Sequence, residues 1–227
     1  MSKIILAFDT AMGACSAALL KEETQSVLAC KHEPMQRGQA ERLVPLIDEI
    51  MNEANVSYQD IGLIASTRGA GAFTGLRLSL ATARTFSLSL DIPAIGVSTL
   101  ETIAFQSPER SKNVMICLET KRKDYYTQTF GPDRTALEQP YCRNLSQVIE
   151  AIQKHQPVMI GDANRRLKAD LESSGIKVPE MTDILYPDCR VLANRALAKY
   201  QKDGDRLQDM EPLYLRDADV SFPATKK

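Results

Sequence analysis

The first apolar run, Lys3 to Phe8, is nearly unbroken and stops at Asp9. That pattern predicts a strand buried on both faces. Asp9 and Thr10 then open a turn containing Gly13. Residues 15–20 and 25–31 predict two further strands with short connections, completing a three-stranded meander. From Gly38 to Ala54 the spacing of apolar positions changes. Leu43, Ile47, Ile50, Met51 and Ala54 share one side, while Glu41, Arg42, Asp48, Glu49 and Asn52 fill much of the rest. This is an amphipathic helix, with Pro45 in its early turns. Residues 61–67 predict a buried strand, Leu76 to Leu90 a helix free of Gly and Pro, and 92–97 a short strand. Ser98-Thr99-Leu100-Glu101 has the Ser-to-Glu spacing that caps a helix, here running to about Gln106.

The helix from Leu76 is unlike the one before it. Leu76, Leu80, Ala83 and Leu90 lie on one side, Leu78, Ala81, Thr85 and Leu88 on another, and Phe86 on a third, with serines between. A helix that is apolar or small nearly all round must be covered nearly all round. Small residues also allow close helix–helix approach. Two arrangements satisfy this pattern: a central core helix, or one that packs on its own domain and on a second protein.

Residues 107–112 are polar, contain Pro108 and read as a linker. The second half then partly repeats the first: strands at 114–118, 125–130 and 136–143, a helix at 145–154 and a strand at 158–160. Helices at 167–173 and 191–202 follow. The apolar residues of 210–217 predict a tail docked on a lobe, and 221–227 predict a frayed end. The repeated order predicts an α/β protein of two ribonuclease H-like, actin-like lobes. The first spans 1–107 and the second 108–227, with the tail packing back.

Between the strand at 61–67 and the helix at 76–90 lies Arg68-Gly69-Ala70-Gly71-Ala72-Phe73-Thr74-Gly75. Strand, glycine turn and helix can aim backbone N–H groups at an anion. No Lys follows Gly75, and the glycine spacing is one residue longer than the dinucleotide fingerprint. The stretch therefore fits either a structural turn or a phosphate cradle. In the second case Asp9, Thr10, Gly69, Gly71 and Gly75 would contact the ligand.

A net charge of −1 excludes binding of nucleic acid by bulk electrostatics. Local basic clusters at Lys121-Arg122-Lys123 and Arg165-Arg166 with Lys168 leave a local contact open. Five well-separated cysteines without C-x-x-C fit reduced thiols in a cytoplasmic protein, not a zinc site. The apolar run after Met1 is too short for a membrane anchor. His32 and His155 are the only histidines, each in a context that predicts a surface position, so no metal or catalytic histidine is expected.

Five segments together carry a family resemblance: Ile5-Leu6-Ala7-Phe8-Asp9-Thr10-Ala11, Gly38 to Ile47, Gly71-Ala72-Phe73-Thr74-Gly75-Leu76-Arg77, Gly96 to Glu101, and Glu211-Pro212-Leu213-Tyr214-Leu215-Arg216. With them the chain resembles the bacterial TsaB family. The resemblance implies a fold of the acetate kinase, sugar kinase, heat-shock and actin class. It implies a non-catalytic scaffold subunit in the synthesis of threonylcarbamoyladenosine in tRNA, paired with a TsaD subunit, with TsaE as the associated ATPase. ATP and Mg²⁺ would be used by the assembled complex, tRNA would be met indirectly, and the isolated chain would form a homodimer. The pairing surface would be helices 38–54 and 75–90, through Leu43, Ile47, Ile50, Met51, Leu76, Leu80, Ala83, Phe86, Ser87 and Leu90. On that assignment, Leu80→Asp or Ala83→Arg would abolish pairing and leave the monomer folded.

The rival is a small actin-like or sugar-kinase-like Mg–ATP phosphotransferase built on Asp9 and the glycine turn, with Glu119 as its base. A third reading, direct tRNA binding, requires the two basic clusters to share a surface.

Overall fold

The computed structural model describes residues 3–204 and 207–216; the expected frayed end at 221–227 lies outside them. The first sheet begins with the predicted meander, β1 (Ile4–Asp9), β2 (Ala14–Lys21) and β3 (Val27–Pro34). Helix α1 (Gln39–Glu53) and a 3-10 turn at Tyr58–Asp60 lead to β4 (Ile61–Thr67). Then come α2 (Phe73–Leu90), β5 (Ala94–Val97) and α3 (Thr99–Gln106). The strands lie in the order β3-β2-β1-β4-β5. The two meander pairings are antiparallel, and β4 and β5 add in parallel.

The second sheet repeats this arrangement. Its elements are β6 (Val114–Glu119), β7 (Tyr125–Phe130), β8 (Tyr141–Arg143), α4 (Leu145–His155), β9 (Val158–Ile160), α5 (Asn164–Ser173) and β10 (Met181–Thr182). The order β8-β7-β6-β9-β10, again with an antiparallel meander and parallel additions, makes the two lobes topological copies.

The alternation along β1 explains the layering. Ile4, Leu6 and Phe8 face one core with α1 and α2. Ile5 and Ala7 face another, where Leu192, Ala193, Ala196 and Leu197 of α6 (Cys189–Asp203) cover them. Between the lobes, Leu100, Ile103 and Ala104 of α3 pack on Val114, Ile116 and Leu118 of β6. Met115 and Cys117, on the opposite side of β6, pack on α4 and α5.

The structure therefore divides the chain differently from the expected boundary between 107 and 108. Residues 108–188 build the second lobe, but α6 and β11 (Leu207–Gln208) return to the first. β11 adds in parallel beside β5. The physical reason is the second face of the first sheet, whose Ile5, Ala7, Leu63 and Ala65 have α6 as their cover. The tail then crosses both lobes. The Leu213 N–H donates to the Arg68 carbonyl at 2.7 Å, Leu215 joins the interlobe core, and Arg216 ion-pairs with Asp124. Ser98 caps α3 as predicted, accepting from the Glu101 N–H at 3.5 Å. The Glu101 carboxylate turns instead to Arg195 and Lys199 of α6.

Candidate functional site: the glycine turn and the outer helix faces

The turn after β4 brings Asp9, Thr10, Gly71 and Gly75 together, but it presses them against one another. The Thr10 hydroxyl donates to the Gly75 carbonyl at 2.7 Å, and the Ala72 N–H donates to the Ala11 carbonyl at 2.7 Å. A Cβ on Gly75 would overlap the Thr10 carbonyl oxygen, and one on Gly71 would overlap that of Ala11. Glycine is required at both positions by this backbone contact. At Gly69 the place of a Cβ lies 2.8 Å from the Leu213 carbonyl of the tail.

Asp9 is fully buried. One carboxylate oxygen accepts from the Thr67 hydroxyl and, at 3.1 Å, from the Ala11 N–H. The other has no hydrogen-bond partner among the described residues. Burial pushes the carboxyl up to about 6, against the opposing pull of those two hydrogen bonds. These residues do not fit Mg–ATP. The carboxylate is fully buried, and the turn's Ala72 N–H is committed to the chain's own carbonyl. Among the described residues no three His, Cys, Asp or Glu side chains converge. Glu119, the base of the phosphotransferase reading, is held by Arg166 at 2.9 Å.

A nucleophile–base contact was not visible in the sequence. Ser16 and His32 are cross-strand partners in β2 and β3, and the Ser16 hydroxyl lies 2.7 Å from His32 Nδ1. Only the register reveals it, because the residues are far apart in sequence. Ser16 is 2% exposed, which denies a substrate access. His32 is exposed as expected and packs on Tyr186. His155 is not a surface residue: its side chain is 12% exposed and lies 4.0 Å from Glu138. The basic clusters do approach each other, since Arg166 donates to the Asp124 carbonyl at 2.8 Å beside the 121–123 turn.

The two helices correct the expected pairing residues. Leu43, Ile47, Ile50 and Met51 of α1 and Leu76, Leu80, Ala83 and Ser87 of α2 are buried in the chain itself. Phe86 packs edge-on to Phe8 and stacks on Tyr58, and Leu90 packs against the same core. The sequence pattern identified a helix with two apolar sides but did not distinguish the inward one. The larger residues went inward because the sheet offers the deeper apolar surface. The outer side of α2 carries Thr74, Leu78, Ala81, Thr85 and Leu88. These alternate by four and three residues, the spacing of a coiled-coil seam, and none is charged. Leu88 is 82% exposed. On α1 the outer side includes Val44, Pro45 and Asp48, with Val44 46% exposed. Leu80→Asp and Ala83→Arg therefore strike the core, not a free face.

Comparison with known proteins places this geometry in context. The family model described as "TsaD: tRNA N6-adenosine threonylcarbamoyltransferase" matches residues 33–180. The chain is similar to the tRNA threonylcarbamoyladenosine biosynthesis protein TsaB of Escherichia coli (strain K12), with 39% identity over 59% of this chain and 57% of that one. It is also similar to the protein of that name from Buchnera aphidicola subsp. Baizongia pistaciae, with 29% identity over 96% of this chain and 100% of the relative. Among solved structures, YeaZ from Pseudomonas aeruginosa superposes with a TM-score of 0.75 at 20% identity, over 94% of this chain and 100% of that one. That likeness shows a shared actin-like, two-lobe fold.

Proposed function

Since the chain belongs to the TsaB family, we propose that it is the non-catalytic subunit of a tRNA threonylcarbamoyladenosine synthesis complex, docking on a TsaD-type partner through the outer sides of α1 and α2. The uncharged seam Thr74–Leu78–Ala81–Thr85–Leu88 carries this reading. A row of small and apolar side chains at four-three spacing, exposed except at Leu78, which half-buries against the first core, suits a second helix pair packed in knobs-into-holes fashion. Covering about 800 Å² on each partner is ordinary for a stable complex. The non-catalytic role is supported by the closed glycine turn and the buried, partly unpartnered Asp9. Those same features disfavour the Mg–ATP phosphotransferase. ATP and Mg²⁺ belong to the assembled complex with its TsaE-type ATPase, and tRNA is met through the partner. No helix among the described residues is long and apolar enough to cross a membrane, which suits work on tRNA in the cytoplasm.

The test is light scattering of the purified chain, alone and mixed with its cognate TsaD-type subunit. Alone, the chain is expected to form a homodimer through the same seam. Mixing should convert it to a one-to-one heterodimer. A monomer in both samples would overturn the assignment.

A further inference from the structure

A second feature begins at Arg68, the first residue of the glycine stretch, and shares no lining residue with the helix seam. Between α3, α6 and the chain after β7 is a cavity of about 390 Å³. That volume falls within the range of small-ligand sites. Its lining includes Arg68, Arg134, Arg195 and Lys199. The acids that ion-pair with these cations are Glu101 of α3 and Asp209 of the tail, while Glu109 and Asp133 lie near Arg134. Glu101 accepts from Arg195 at 3.0 Å and lies 3.4 Å from Lys199. Asp209 pairs with Arg68 and lies 3.4 Å from Lys199. Among the lining residues themselves, four cations stand against one carboxylate, Glu101, in a partly enclosed space.

Arg134 makes this arrangement unusual. It is 3% exposed, although an arginine is almost never buried without a paired acid. Its Nη1 donates to the carbonyls of Gly131 and Pro132, at 3.1 and 3.3 Å. Its Nε and Nη2 are buried and have no hydrogen-bond partner among the described residues. Arg68 Nε is in the same condition. A buried guanidinium with two idle donors is costly unless an anion meets it. Burial and the nearby Arg110 both draw its pKa below the ordinary arginine value. The Asp133 carboxylate accepts from the Thr135 N–H and hydroxyl, so although its charge and that of Glu109 act on Arg134, it does not fill the idle donors.

We propose that this cavity is a binding site for a diphosphate anion, received by Arg134 and Arg68 from one side and by Lys199 and Arg195 from the other. Guanidinium forks match phosphoryl oxygens in pairs, and the excess charge suits a multiply charged anion. The diphosphate is either free pyrophosphate or the end of a nucleotide. The Phe105 ring, at the cavity wall, already carries the Arg195 guanidinium at 3.8 Å.

Isothermal titration calorimetry of the full chain alone, at fixed ionic strength, tests the site with sodium pyrophosphate and with ADP. One saturable site is expected, and Arg134→Gln should weaken it at least about tenfold. Tighter binding of ADP assigns the site to a nucleotide, and equal or weaker binding to the free anion. Should Arg134→Gln fail to fold by circular dichroism, the double variant Arg195→Gln/Lys199→Gln decides, with the same loss expected. Lys168→Gln, on α5, should bind as the unaltered chain does. No heat from either ligand at millimolar concentration, wild-type affinity in the folded cavity variants, or an equal loss in Lys168→Gln would each overturn the proposal.

Discussion

Leu80 and Leu88 stand on the same helix two turns apart, yet their replacement by Asp should produce opposite phenotypes. Leu80 is 3% exposed and packs among Ile47, Ile50, Ile64 and Ala83 in the first core. Losing its burial removes about 1.5–3 kcal/mol. The new carboxyl must also ionise in an apolar site or keep its proton at neutral pH. A rise of three units in its pKa would cost about 4 kcal/mol. Together these reach roughly 5–7 kcal/mol, comparable with the whole stability of a domain, about 5–15 kcal/mol. Leu88, 82% exposed, should change monomer stability by no more than about 0.5 kcal/mol. In a helix seam, however, an unpaired carboxylate at that position would cost about 3–5 kcal/mol. This corresponds to a loss of roughly two to four orders of magnitude in affinity. Thermal unfolding by circular dichroism and titration calorimetry with the TsaD-type partner separate the two effects. A Leu80→Asp chain that melts normally but no longer pairs, beside a Leu88→Asp chain that pairs normally, would refute the outward assignment.

Three further outcomes follow from the geometry. Gly75→Ala should destabilise the fold by several kcal/mol, at the upper end of single substitutions, because a Cβ there overlaps the Thr10 carbonyl; chemical denaturation measures it, and a change under about 1 kcal/mol would contradict the contact. Asp9 holds its proton up to about pH 6 when folded, against an ordinary value of 3.8. The folded state therefore binds more protons between those values, and stability should fall by about 3 kcal/mol as pH rises through that window. Asp9→Asn should remove this fall, and parallel urea-stability profiles of the two chains would rule out the assigned burial. Asn144 accepts from the Gln147 N–H at 3.0 Å, and the Gln147 side chain accepts in return from the Asn144 N–H. Asn144→Ala should cost about 1 kcal/mol in a urea titration, whereas an unchanged midpoint would mean the cap adds nothing.

Periodicity exposed most of the architecture because burial on two faces leaves a plain mark. β1 and β4 appear as apolar runs, and α1 as a stripe within one residue of its observed ends. Short edge strands left no such mark: β10 and β11 have two residues each and owe their state to a neighbouring strand. The predicted strand at 136–143 shrinks to Tyr141–Arg143 with one bridge at Ala136. α2 begins at Phe73, ahead of the expected Leu76, since its first turn leans on the tail through the Phe73–Tyr214 stack. The site was legible as composition but not as orientation. The glycines pointed to close approach, yet only the fold shows that the chain's own carbonyls occupy the space. Arg134 had no distinguishing sequence context at all, because its idle donors arise from burial between elements distant in sequence.

The return of α6 and β11 to the first sheet has a consequence for the order of synthesis. A ribosome releases β5 about 90 residues before α6. At about 5–20 residues per second, the nascent first sheet waits roughly 5–20 seconds for its cover. During that interval Ile5, Ala7, Leu63 and Ala65 face the surrounding medium, and the second lobe is made in the meantime. This is the window in which a nascent-chain chaperone would find its target on the early half of the polypeptide. A circular permutant that begins at α6 would close that window from the first moments of translation.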